Sequence, residues 1–164
     1  MTQPAITVKA GHGAGRRPAA MTPPVAAACV VLSLTLLLIG GSIYLLFRPD
    51  NLLMFSWADT LGLSPSIHSL RQSLAYATPN SFVTCCLPNG LWTASYLLMT
   101  AAAVPARHKP DIVLWGYSLP VMALVLECLQ LLHAIPGVFD PLDVLCYVLP
   151  MLAFTVYLRH EEVF

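Results

Sequence analysis

The sequence predicts an all-α membrane protein, a bundle of about four transmembrane helices with both termini in the cytoplasm. Three observations carry that expectation. Hydrophobic residues fill 57% of the chain and charged residues only 10%, against about 25% charged in an ordinary soluble domain. Apolar runs of spanning length recur along the sequence. Lysine and arginine gather in alternate flanks of those runs, which sets an orientation. The formal net charge is +0, so no basic surface points to a nucleic-acid partner.

Residues 1–23 are polar and rich in glycine and proline, with Lys9, Arg16 and Arg17. Such a stretch cannot bury enough apolar surface to fold, and it is expected to be a flexible cytoplasmic tail. Arg16-Arg17 is followed by Pro18-Ala19-Ala20, not by the apolar run of an export signal. The membrane domain is expected over 24–164. Its first span, 25–47, is longer than the core of a signal peptide and is read as an uncleaved helix.

Residues 48–86 are mixed. Asn51 to Trp57 is apolar but too short to cross a bilayer. Ile67, Leu70, Leu74 and Ala77 repeat at three and four, while His68, Arg71 and Gln72 fall on other faces. That periodicity predicts a short amphipathic helix at the membrane interface, with an ordered loop packed on the helix ends as the alternative. The second span is placed at 87–106, around the apolar stretch Leu91 to Val104, with Trp92 as an interfacial aromatic. The third span covers 112–133 and the fourth 142–158. Lys9, Arg16, Arg17, Arg107, Lys109 and Arg159 then lie on one side, and Arg48 and Arg71 on the other. The first side is cytoplasmic by the positive-inside rule.

The outward side carries the chemistry. Glu127 stands among leucines and valines, and a charged carboxylate there costs several kcal/mol unless it is paired. Gly116, Pro120, Ala123, Glu127, Gln130 and Ala134 form a stripe of small and polar residues at helical spacing. Small residues let helices approach closely in a bilayer and polar ones bond across the contact, so this stripe faces the bundle. Counted to the expected helix end, Glu127 lies about two turns inside it. The next helix has a matching stripe of Asp140, Asp143, Tyr147, Pro150, Phe154 and Tyr157. Asp140 before Pro141, with Asp143 three residues on, also reads as an N-cap in a capping-box arrangement.

Glu127, Gln130, Asp140, Asp143 and Tyr147 are therefore the candidate ligand contacts. Glu127 and Asp143 are the candidates for general acid and base should there be a reaction. A purely structural role for Glu127, bonded to Gln130, Tyr117 or Tyr147, competes with both. His133 is read as incidental. No nucleophile elbow, zinc-protease signature or phosphate loop occurs, and neither metal nor cofactor is expected. Cys29, Cys85, Cys86, Cys128 and Cys146 lack metal or redox spacing and are read as small apolar residues.

At these positions the chain resembles the VanZ-like family of small bacterial membrane proteins, named for a teicoplanin-resistance protein. The resemblance rests on Glu127-x-x-Gln130, on the loop Pro136-Gly137-Val138-Phe139-Asp140, and on Asp143-Val144-Leu145. Leu87-Pro88-Asn89-Gly90-Leu91-Trp92 is similar to a segment that precedes an earlier helix in related proteins. The match covers roughly 87 to 149. This chain departs from the family pattern in two places: it has Gly137 and Val138 where many members carry a loop arginine. It also has Tyr147 and Pro150 in place of an asparagine and a glycine. Any ligand role of that arginine or asparagine would be altered here.

The resemblance implies a multi-pass protein of the bacterial cytoplasmic membrane that affects susceptibility to glycopeptide-type antibiotics. The leading expectation is a non-enzymatic envelope protein that binds a lipid headgroup or such an antibiotic at the outer leaflet. A lipid-modifying enzyme using Glu127 and Asp143 is the alternative, and a structural polar stripe with no ligand a third.

Overall fold

The computed structural model describes residues 21–49, 53–77, 79–104 and 108–160, so the expected tail up to residue 20 lies outside the described residues. Within them the chain forms six α-helices and a π-helical turn. These are α1 (Pro23–Phe47), α2 (Leu53–Thr60), α3 (Ser64–Ser73), α4 (Leu87–Ala103), α5 (Lys109–Leu131) and α6 (Pro141–His160), with the π turn at Phe82–Cys86 leading into α4. Prolines stand in the first turns of α1, α3 and α5, where the missing N–H would have no helical partner anyway, and Pro88 stands where the π turn passes into α4.

Three helices are long and apolar enough to cross a membrane: Pro23–Phe47, Pro110–Leu131 and Pro141–His160. These three helices suggest a multi-span helical membrane protein, and large apolar side chains are exposed along them, as at Leu38, Leu114, Met122 and Val156. α4 is shorter, at 17 residues, about 26 Å of helix at 1.5 Å per residue. It occupies the centre and packs against α1, α5 and α6.

That central place explains its composition. Thr93, Ser95, Leu97, Thr100 and Ala101 of α4 are buried. Ser33 of α1, only 1% exposed, donates to the Ser95 carbonyl at 2.7 Å and lies 3.1 Å from Ser95 Oγ. Tyr96 Oη reaches the Trp115 carbonyl (2.5 Å) and Ser118 Oγ (2.9 Å) on α5. Tyr117 of α5 meets Thr155 Oγ1 of α6 at 2.5 Å. Polar bonds of this kind hold helices together where lipid offers no hydrophobic gain.

Glycines set the closest approaches. A Cβ at Gly40 would stand 2.7 Å from Trp92 Nε1, and one at Gly116 would collide with the Phe154 ring. Gly90 lies against the backbone of Cys146, where a Cβ would meet the carbonyl oxygen at 3.3 Å. The apolar core gathers at one end of the bundle: Leu97 and Ala101 of α4, Ile112 of α5, Phe154 and Leu158 of α6.

The linker after α1 forms two short helices. α3 has its packed positions at Ile67, Arg71 and Leu74, so Arg71 shares a face with the apolar residues instead of turning away from them. The physical reason is the end of α1. Arg71 Nε donates to the Leu46 carbonyl at 3.1 Å, and its second terminal nitrogen to the Arg48 carbonyl. These are acceptors a helix C-terminus leaves unbonded. Its guanidinium also stacks on Phe55 of α2 at 5.0 Å.

Candidate functional site

The polar cluster is assembled at the opposite end of the bundle from the apolar core. The end of α5, the start of α6 and the π turn before α4 meet there, with the end of α1 beside them. On α5, Gly116, Pro120 and Glu127 are buried and Ala123 and Gln130 half-buried, so the small and polar stripe faces inward. α5 ends at Leu131, two residues earlier than the sequence suggests. Glu127 consequently lies about one turn, roughly 6 Å, from the helix end and not two.

The turn after α5 explains His133. Its φ is +55°, its N–H bonds the Gln130 carbonyl at 2.9 Å, and the Ala134 N–H bonds the Leu129 carbonyl at 2.9 Å. This pair of bonds is the Schellman arrangement, with a histidine in the left-handed position that glycine usually fills. His133 is exposed and caps the helix. Gly137, at φ +141°, then brings the loop against Gln130: a Cβ there would lie 2.6 Å from the amide carbon of that side chain.

Asp140 is the N-cap of α6. Its Oδ1 accepts the Leu142 N–H at 2.8 Å and its carbonyl accepts from Asp143 at 3.1 Å, as an N-cap does. The capping box, however, is closed from another helix. The Asp140 N–H donates to Glu127 Oε2 at 3.5 Å, so Glu127 takes the part that Asp143 holds in the sequence-level reading. Neither Tyr117 nor Gln130 is its hydrogen-bond partner among the described residues. With 6% of its surface exposed, Glu127 ties the loop before α6 down onto α5.

Released from the cap, the Asp143 carboxylate turns to α4, where Asn89 Nδ2 donates to Oδ1 at 3.0 Å. Cys86, 1% exposed, donates its thiol to Asp140 Oδ2 at 3.5 Å. Its neighbour Cys85 faces the other way, toward Arg48 Nη1 at 3.6 Å. Successive residues of a helical turn point about 100° apart, so the two adjacent cysteines of the π turn reach different helices. Both are free thiols. Tyr147, one turn after Asp143, lies within electrostatic range of Asp143, Glu127 and Tyr44.

All five sequence-level candidates therefore lie at one end of the bundle, but in different roles. Glu127 and Gln130 hold the loop, Asp140 caps, and Asp143 and Asp140 are the half-exposed carboxylates. Reading Cys86 as merely apolar misses its bond to Asp140. Asn89 is the other omission, and its signal was present: a side-chain amide beside Pro88 and Gly90 within an otherwise apolar span.

Chemically the arrangement offers anionic acceptors beside a donor amide and a thiol. One donor atom each from Cys86, Asp140 and Asp143 lie within 4.8 Å of one another, close enough for one cation. Oδ1 of each aspartate already accepts a bond, and the positive N-terminus of α6 opposes a cation there. The group is accordingly described by its hydrogen bonds. Comparison with protein-family models, with curated proteins and with solved structures gave no match for this chain.

Proposed function

We propose that the chain is a four-span protein of the bacterial cytoplasmic membrane, related to the VanZ-like family, with both termini cytoplasmic. In this reading α4 is the second span, added to the three long helices. Continued back through the π turn from Phe82 to Ala103, it reaches about 33 Å at helical rise, enough for a hydrocarbon core of about 30 Å. The polar cluster then faces outward and binds the polar, amine-bearing headgroup of an envelope lipid or glycopeptide-type antibiotic.

The observation that supports this most is the division of labour among the carboxylates. Glu127 is buried and bonded to backbone, whereas Asp140 and Asp143 are half-exposed at the end of the bundle; Asp140 accepts bonds from Leu142 and Cys86, and Asp143 accepts one from Asn89 through Oδ1 alone. The two carboxylates together outweigh the roughly half positive charge of the α6 N-terminus, so the end of the bundle still attracts an ammonium group.

Asp143→Asn tests a role for the cluster in ligand contact against a purely structural one. It removes a charge yet keeps an oxygen for Asn89. The expected outcome is altered susceptibility to cationic envelope-active antibiotics at unchanged protein level in the membrane. Wild-type susceptibility at equal expression would contradict headgroup binding by the cluster.

A further inference from the structure

Between the C-terminal half of α1 and α2 the structure leaves an open apolar groove of about 700 Å³. Leu38, Gly41 and Leu45 of α1, Leu53 and Trp57 of α2, and Trp92 of α4 line it. α2 folds back along α1 to make the far wall: the Met54 methyl lies 3.8 Å from where a Cβ would stand at Gly41. Gly41 is nearly two turns before the end of α1 at Phe47. The groove thus runs beside a helix apolar enough to cross a membrane, at the depth of acyl chains. Its volume falls in the range of about 300–1,000 Å³ typical of small-ligand sites.

The same groove ends at a cation. Tyr44 forms part of its wall and carries the Arg48 guanidinium over its ring at 5.1 Å. Arg48 Nε is buried with no hydrogen-bond partner among the described residues, and Nη1 contacts the weakly accepting thiol of Cys85 at 3.6 Å. A buried donor without a partner costs free energy, and a guanidinium fork matches the oxygens of a phosphate. Arg71 is occupied with the Leu46 and Arg48 carbonyls, but it adds a second positive charge beside the first.

We propose that the groove holds an acyl chain of an anionic phospholipid of the surrounding bilayer, with the lipid phosphate on Arg48. The apolar walls accept the chain whatever the headgroup. The positive charge of Arg48 selects a headgroup of net negative charge over a zwitterionic one. This site is separate from the acidic cluster and goes beyond the function proposed for it.

The test is native mass spectrometry of the full chain in a non-ionic detergent, titrated with phosphatidylglycerol or with phosphatidylcholine of matched chains. The wild type is expected to retain phosphatidylglycerol with a preference on the order of tenfold, the size of one charge-assisted contact. Leu38→Trp, at the exposed rim of the groove, should lower retention of both lipids. Arg48→Gln should abolish the preference while chain retention persists. If Arg48→Gln does not fold by circular dichroism, Arg48→Lys is read in its place and should show an intermediate preference. Equal retention of the two lipids by the wild type would overturn the proposal. So would retention unaltered by Leu38→Trp, or full preference in the arginine variant.

Discussion

Glu127 is buried in a leucine-rich helix because its carboxyl satisfies a backbone donor that the start of α6 would otherwise leave open. Two substitutions distinguish this role from that of a bare charge. Glu127→Gln keeps an acceptor oxygen and should cost less than about 1 kcal/mol, while Glu127→Leu leaves the Asp140 N–H unpaired and should cost about 1–3 kcal/mol. Thermal unfolding in detergent measures both, and equal losses would contradict the assignment. His133 gives the converse case. Its left-handed φ of +55° favours glycine, so His133→Gly should raise stability by about 0.5–1 kcal/mol, with the gain in backbone fit partly offset by chain entropy.

The helices meet through glycines and hydroxyls, and the two glycines at α1's contact side differ in what they tolerate. Gly40 faces Trp92 and Gly41 opens toward the α2 groove. Gly40→Ala should therefore cost about 1–3 kcal/mol through overpacking, and Gly41→Ala should change the midpoint little. Comparable shifts for both would contradict the described packing of α1 on α4. The π turn at Phe82–Cys86 has a similar positional meaning, since it presents Cys85 to Arg48 and Cys86 to Asp140.

Hydropathy alone made three of the helices legible to within a few residues, because each faces lipid over much of its length. α4 reads weakly for the opposite reason. It is enclosed by α1, α5 and α6, so buried Thr93, Ser95 and Thr100 replace the leucines a lipid-facing helix would carry. The acidic candidates were legible as a stripe, and so was Asp140 as a cap. Two things were not. Helical spacing places Glu127 and Asp143 near each other but does not show that Glu127 turns to the Asp140 backbone while Asp143 turns to Asn89. Nor does any local pattern show that α2 lies beside α1 to leave the groove, or that Arg71 bonds the end of α1.

The bundle as a whole is polarised. Its apolar core, built on Ile112 and Leu158, lies toward one end, and the carboxylates, Cys86 and Asn89 lie at the other, together with Arg48 and Arg71. The proposed function depends on that second end facing outward. Accessibility of single cysteines in intact cells tests this most directly, in a background lacking the native cysteines and with a membrane-impermeant maleimide. Val138, 87% exposed in the loop before α6, should be labelled as Val138→Cys from outside the cell. His108→Cys, at the start of α5, should be labelled only after lysis. Labelling of position 108 in intact cells, with position 138 protected, would turn the acidic cluster toward the cytoplasm and contradict the account.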